Sequence, residues 1–150
     1  MAEIAFHFNV GQVAADKLQY ACRLLRKAVA AGARVVVVAD EHVLNQLDRL
    51  LWTFSPLEFI GHCIVGQPGV TAHMIAFSPV ILSTEVGHSA HQDVMLNLQT
   101  QVPPQFEAFR RVIEIVSLDD ADRMQARARW KRYTELGFNI TRHDIALQGA

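Results

Sequence analysis

The chain has only two cysteines, Cys22 and Cys63, and they share no C-x-x-C or other framework spacing. That excludes a disulfide scaffold and a cysteine-built zinc site, and predicts reduced, partly buried thiols in a cytoplasmic protein. Long apolar runs are also missing. Nothing approaches the roughly 18 residues of a membrane span, and the opening MAEIAFHF lacks the basic-then-apolar layout of a secretory signal. A basic excess is missing as well: 14 Lys and Arg stand against 15 Asp and Glu, a formal charge of −1. Proteins that grip duplex DNA alone carry such an excess, because phosphate neutralisation drives that binding. Autonomous duplex binding is therefore disfavoured, and so is single-strand binding, which wants aromatics interleaved along a basic groove.

The signatures of catalysis are sparse too. Phosphate cradles need a glycine-rich loop between a strand and a helix, so that backbone N–H groups can point at the anion. No GxGxxG and no GxxxxGK[ST] occurs. Asn9-Val10-Gly11-Gln12-Val13-Ala14 holds one glycine, and Gly66-Gln67-Pro68-Gly69 lacks the Lys and Ser/Thr. There is no GxSxG nucleophile elbow and no cluster of carboxylates for magnesium. Seven histidines invite a metal reading, chiefly around Glu85, His88 and His91. Gly87 and Ser89 argue against a helix there, so these read as solvated loop histidines. The expectation is a protein with no catalytic residue, no metal and no cofactor.

What is present is a core. Hydrophobic residues make up 51% of 150 residues, enough for one domain and too much for long disorder. Ile4, Phe6, Phe8 and Val10 alternate with smaller or polar residues, the period of a strand. Leu18, Ala21, Cys22, Leu25, Ala28 and Val29 recur at helical spacing before Gly32. Val35–Val38 is a β-branched run suited to burial on both faces of a parallel sheet. Asp40 is placed to cap a second helix carrying Val43, Leu47, Leu50 and Leu51. This β-α-β-α opening predicts a three-layer α/β/α domain with a mostly parallel or mixed sheet, Rossmann-like without a phosphate loop. Further on, Met74–Phe77 and Val80–Leu82 read as short strands and Glu85–Gln92 as a loop. Val94–Leu98 fits strand or short helix, Phe106 and Phe109 a short helix, and Val112–Val116 a strand. Leu118–Leu136 reads as a helix stopped by Gly137, and the last dozen residues are expected to fray.

Two constellations stand out. On the last helix Arg123, Arg127, Trp130, Lys131 and Thr134 fall within roughly a 100° arc at about 100° per residue. Three cations beside one indole can hold an anion together with an aromatic or apolar group. A solvated basic face with a half-buried tryptophan is the alternative, and composition leaves both open. The second is Leu51-Trp52-Thr53-Phe54-Ser55-Pro56-Leu57-Glu58-Phe59-Ile60, which sets six large apolar residues around a turn. It is either core folded under a loop or an apolar surface patch.

At these residues the chain resembles the chi subunit family of bacterial DNA polymerase III. The resemblance runs from the first strand to Gly137-Phe138-Asn139. It is most specific at Leu51-Trp52, Phe59 and His62, and at Arg127, Trp130, Lys131, Tyr133 and the GFN that follows. It implies a non-catalytic clamp-loader accessory protein of the replisome, reaching DNA only indirectly and with no membrane contact. Its implied partners are the clamp loader's psi subunit and the acidic C-terminal tail of single-stranded DNA-binding protein, which ends in Pro-Phe with a free carboxylate. The implied tail contacts are Arg123, Arg127, Trp130 and Lys131, with Arg123 where the family can have Lys and Trp130 where it can have Tyr. Trp52 and Phe59 are the implied apolar contacts to psi. A helicase-like repair protein is an alternative occupant of that patch, and the 83–93 segment departs from the family by its histidines. The rival reading is a small Rossmann-like nucleotide-binding or hydrolase-type enzyme.

Overall fold

A computed structural model describes residues 2–53, 61–87 and 91–146. Its chain order is β1 (Glu3–Phe8), α1 (Ala14–Ala30), β2 (Val35–Val38), α2 (Glu41–Thr53), β3 (His62–Ile64), α3 (Ala72–Phe77), β4 (Val80–Ser83) and β5 (Val94–Asn97). A 3₁₀ turn at Phe106–Ala108 precedes β6 (Arg111–Ile115), α4 (Asp120–Glu135) and β7 (Ile140–Asp144). The seven strands form one sheet in the order β3-β4-β2-β5-β6-β1-β7. Every pairing is parallel, so the sheet is not mixed.

The strand period sorts the core into two layers. Val35 and Val37 face α1 and α2, meeting Leu18, Cys22, Leu25, Leu44 and Leu47. Val36 and Val38 face the other side with Ile81, Met95, Val112, Phe106, Ala126 and Tyr133, under α4. Helices on both faces are what an all-parallel sheet requires, because its central strands, such as β2 and β4, are buried on both sides. Cys22 and Cys63 are both free and fully buried, deeper than the partial burial expected. Burial alone pushes the Cys22 thiol up to about 11, so it is an inert core residue. Among the described residues no helix is long and apolar enough to cross a membrane.

Three expectations are corrected. Met74–Phe77 is helical, within α3, because Thr71 caps it: its side-chain oxygen accepts from the Met74 amide at 3.2 Å. His91 is not solvated; it is 5% exposed, and its Nε2 lies 2.8 Å from the Ser78 carbonyl oxygen. His88 lies outside the described residues. The C-terminal segment does not fray at residue 140. Residues 140–144 form β7, paired along β1 from Ile4↔Ile140 to Phe8↔Asp144, and Ile145 is buried behind it. The exposed backbone edge of β1 is the template, and ITRHD has too little apolar alternation to announce a strand by itself.

Candidate functional site

Helix α4 carries very little apolar surface. Its buried residues are Ala126, Arg129 and Tyr133, and one of them is charged. The helix is held by a polar network instead. Arg129 Nε donates to Glu114 Oε1 at 2.9 Å, while the Tyr133 hydroxyl donates to Oε2 at 2.7 Å and Asn97 Nδ2 to the same oxygen at 2.9 Å. Arg129 also donates to the Thr100 carbonyl. Burial pushes the Glu114 carboxyl up, against the pull of the Arg129 guanidinium and the three donors. Burial and then Glu114 push the Tyr133 phenol up strongly, so it stays a donor. At its N-terminus α4 is capped by Asp119, which accepts from the Asp122 amide. Asp122 in turn pairs with Lys17 of α1 at 3.0 Å. Partial burial opposes its ionisation, but the Ser117 amide and Lys17 hold its carboxyl below the usual range. Gly137, at φ +87°, ends the helix in the left-handed conformation that glycine tolerates.

Fixed in this way, α4 overhangs β1 and β7 and forms one wall of a cleft of about 460 Å³. Its lining is Phe6 and Phe8 of β1, Val116, Ala126, Arg123, Arg127 and Trp130 of α4, and Arg142 of β7. Trp130 is half-buried with its ring 5.0 Å from that of Phe6. The Arg142 Cζ sits 5.2 Å from the Phe8 ring centroid and 5.8 Å from that of Trp130, within cation–π range of both. Arg123, Arg127 and Arg142 are all exposed, and among the described residues none of them forms an ion pair. An apolar, aromatic floor therefore sits beneath three uncompensated guanidinium groups. That combination suits an acidic ligand with an aromatic or apolar end.

The sequence-predicted residues divide. Arg123, Arg127 and Trp130 are brought together in the cleft. Lys131 is exposed on the same helix but does not line it, because it stands at the far side of the arc from Trp130. Thr134 is also outside the lining, and its hydroxyl donates back to the Trp130 carbonyl. Phe6, Phe8 and Arg142 were missed as site residues. The phenylalanines read as ordinary core positions of a strand, and Arg142 lay in the segment expected to fray.

Trp52 is in the last turn of α2 and 57% exposed. Its ring lies 5.1 Å from that of His62 on β3, and His62 Nε2 is 2.9 Å from Asp48 Oδ1 of α2. The helix end is thereby tied to the edge strand, leaving the indole outward. Phe59 lies outside the described residues, as does all of 54–60.

The region expected to hold phosphate in a nucleotide-binding protein is already filled. The Asp16 carboxylate accepts from the Gln12 and Val13 amides at 2.7 and 3.1 Å, at the N-terminus of α1. These hydrogen bonds hold the Asp16 carboxyl below its usual range. A negative charge thus occupies the anion position, and Gly11 (φ +64°) packs so closely that a Cβ would stand 2.2 Å from that of Asp16. Among the described residues no group of three His, Cys, Asp or Glu is arranged to hold a metal.

A family model described as DNA polymerase III chi subunit, HolC, matches residues 1–141. The chain is 31% identical over 146 residues to the DNA polymerase III subunit chi of Pseudomonas aeruginosa, covering 97% of this chain and 98% of that one. It is 27% identical to the subunit chi of Haemophilus influenzae over 129 residues, covering 85% and 86%. To that of Escherichia coli it is 27% identical over 124 residues, 81% of each chain.

Proposed function

The chain belongs to the DNA polymerase III chi subunit family, and from that membership we propose that it is a non-catalytic linker of the replisome. In this reading it joins the psi subunit of the clamp loader to the C-terminal tail of single-stranded DNA-binding protein, and works in the cytoplasm. The observation that carries the tail contact is the cleft between α4 and β7: three guanidinium groups, without an ion pair among the described residues, over Phe6, Phe8 and Trp130. An acidic tail ending in Pro-Phe matches it in charge and in its aromatic end. The psi contact rests on Trp52 and on Phe59.

Sheet order supports a linker. The Trp52 surface borders β3 and the cleft borders β7, the two edges of a seven-stranded sheet. At about 4.8 Å per strand the two surfaces lie roughly 30 Å apart, so two partners can be held at once without competing. The nucleotide-binding rival is opposed by the Asp16 carboxylate at the head of α1.

The test is a calorimetric titration of a tail peptide into the protein alone and into its complex with psi. The dissociation constant should be micromolar, about −7 to −8 kcal/mol, and rise with salt because exposed charges make the contact. It should agree within a factor of two between the two titrations. Mutual exclusion of peptide and psi would overturn the linker.

A further inference from the structure

Arg142 has two properties that the α4 cations do not share. It comes from the edge strand β7, opposite the helix, so it closes the cleft from the other wall. Its guanidinium lies within 6 Å of two aromatic rings, Phe8 and Trp130, while Arg123 and Arg127 have no ring within cation–π distance among the described residues. Like Arg123 and Arg127, it forms no ion pair among the described residues. The terminal residue of a peptide carries its side chain and its α-carboxylate on the same Cα. If the side chain rests on the aromatic floor, the carboxylate lies within a few ångströms of those rings, and a cation bordering them is the one within reach.

We infer that Arg142 is a carboxylate-binding residue of this cleft, taking the free C-terminal carboxylate of an acidic, aromatic-ended peptide from the β7 side while Arg127 faces it from α4. The inference rests on the tail-binding reading above and adds to it a direction: the peptide's last residue lies at the Phe8–Trp130 end, with its upstream acidic side chains running toward Arg123. The planar guanidinium suits this role because it stacks on rings by its face and donates in its plane to a carboxylate. A β7 cation also makes the site dependent on the strand, since Arg142 is placed by pairing with Phe6 in the register of β1.

The experiment compares two synthetic acidic peptides ending in Pro-Phe, one as the free acid and one as the C-terminal amide. Each is titrated into the wild-type protein and the Arg142→Gln, Arg142→Lys and Arg127→Ala variants, with melting curves to verify folding. Arg142 is exposed on an edge strand, so its variants should melt as wild type does. For the wild type, amidation should weaken binding about tenfold or more, the size of a lost charge-assisted contact. Arg142→Gln should weaken the free acid by a similar factor and leave the amide within about twofold, while Arg142→Lys falls between. Two results overturn the inference: full free-acid affinity in Arg142→Gln, or equal weakening of both peptides, which would make Arg142 a packing residue. In either case loss of binding in Arg127→Ala keeps the tail-binding reading alive. If the wild-type protein binds neither peptide, both readings fall.

Discussion

His7 points from β1 to the face opposite the cleft, where its Nδ1 lies 2.5 Å from the Tyr20 hydroxyl and its ring 4.8 Å from that of His143. Burial first, then the charges of His143 and Arg111, lower its pKa from 6.5 to about 4. The folded protein therefore keeps this imidazole neutral where the unfolded chain protonates it. Between pH 6.5 and 4 the unfolded state binds more protons, so stability is full above about pH 6.5 and is lost as pH falls toward 4. The ring is only half-buried, so solvent screening limits the effect to about 1–2 kcal/mol, or about 3–6 °C in melting temperature. The His7→Gln variant should lose less of its melting temperature between pH 7 and 4.5 than the wild type does. Superimposable pH profiles would remove His7 as the cause. At this scale a residue's neighbours decide its chemistry: His91 is buried against a carbonyl and His7 against a tyrosine.

Two elements carry the proposed partner surfaces, and each is anchored differently. Helix α4 depends on the buried Glu114–Arg129 pair, 0% and 3% exposed as side chains, more than on apolar contact. Breaking such a pair leaves one buried charge uncompensated, so Glu114→Ala should cost about 3–5 kcal/mol and lower the melting temperature by about 10 °C. Replacing both members, Glu114→Gln with Arg129→Met, should recover most of that, because the Gln oxygen still accepts from Tyr133 and Asn97 and no buried charge is left uncompensated. A loss under about 1 kcal/mol for Glu114→Ala would mean that α4 is held by other contacts. Helix α2 instead buries an apolar stripe, Leu44, Leu47 and Leu51, and presents Trp52 beyond it. Trp52→Ala should leave the melting temperature within about 2 °C, since much of the ring is already solvated. The same variant should lose about thirtyfold or more in affinity for the psi partner, the usual effect of truncating an aromatic anchor. A large fall in melting temperature would return Trp52 to the core.

At the scale of the whole molecule, β7 would link stability to the proposed peptide binding. It covers the edge of β1, brings Arg142 to the cleft, and places Asp144 where Asn9 donates to it at 3.0 Å. Deleting residues 140–150 should therefore do more than shorten a tail. It uncovers the parallel edge of β1 and removes the buried Ile145, so the melting temperature should fall by several degrees or more and peptide binding should vanish. A truncated protein that melts and binds like the full chain would show β7 to be dispensable.

The alternating and helical apolar periods of the sequence were sufficient for β1, α1, β2 and α2. In each, one face must be buried whatever the neighbours are, so the pattern is local. The α4 face was legible for the same reason, since helical geometry alone brings Arg123, Arg127 and Trp130 together. Other features depended on distant partners. β3 is three residues long, α3 is settled by the Thr71 cap, and β7 becomes a strand only because β1 offers it an edge. Arg129 and Glu114 look like solvated charges in sequence and are core residues in the fold, because each supplies the other's missing hydration. Arg142 joins Arg127 across about fifteen residues of chain only when β7 pairs. Local periodicity therefore determined the layers and one wall of the cleft. Long-range pairing decided the opposite wall, because backbone edges and buried charges are satisfied by whatever the tertiary structure brings to them.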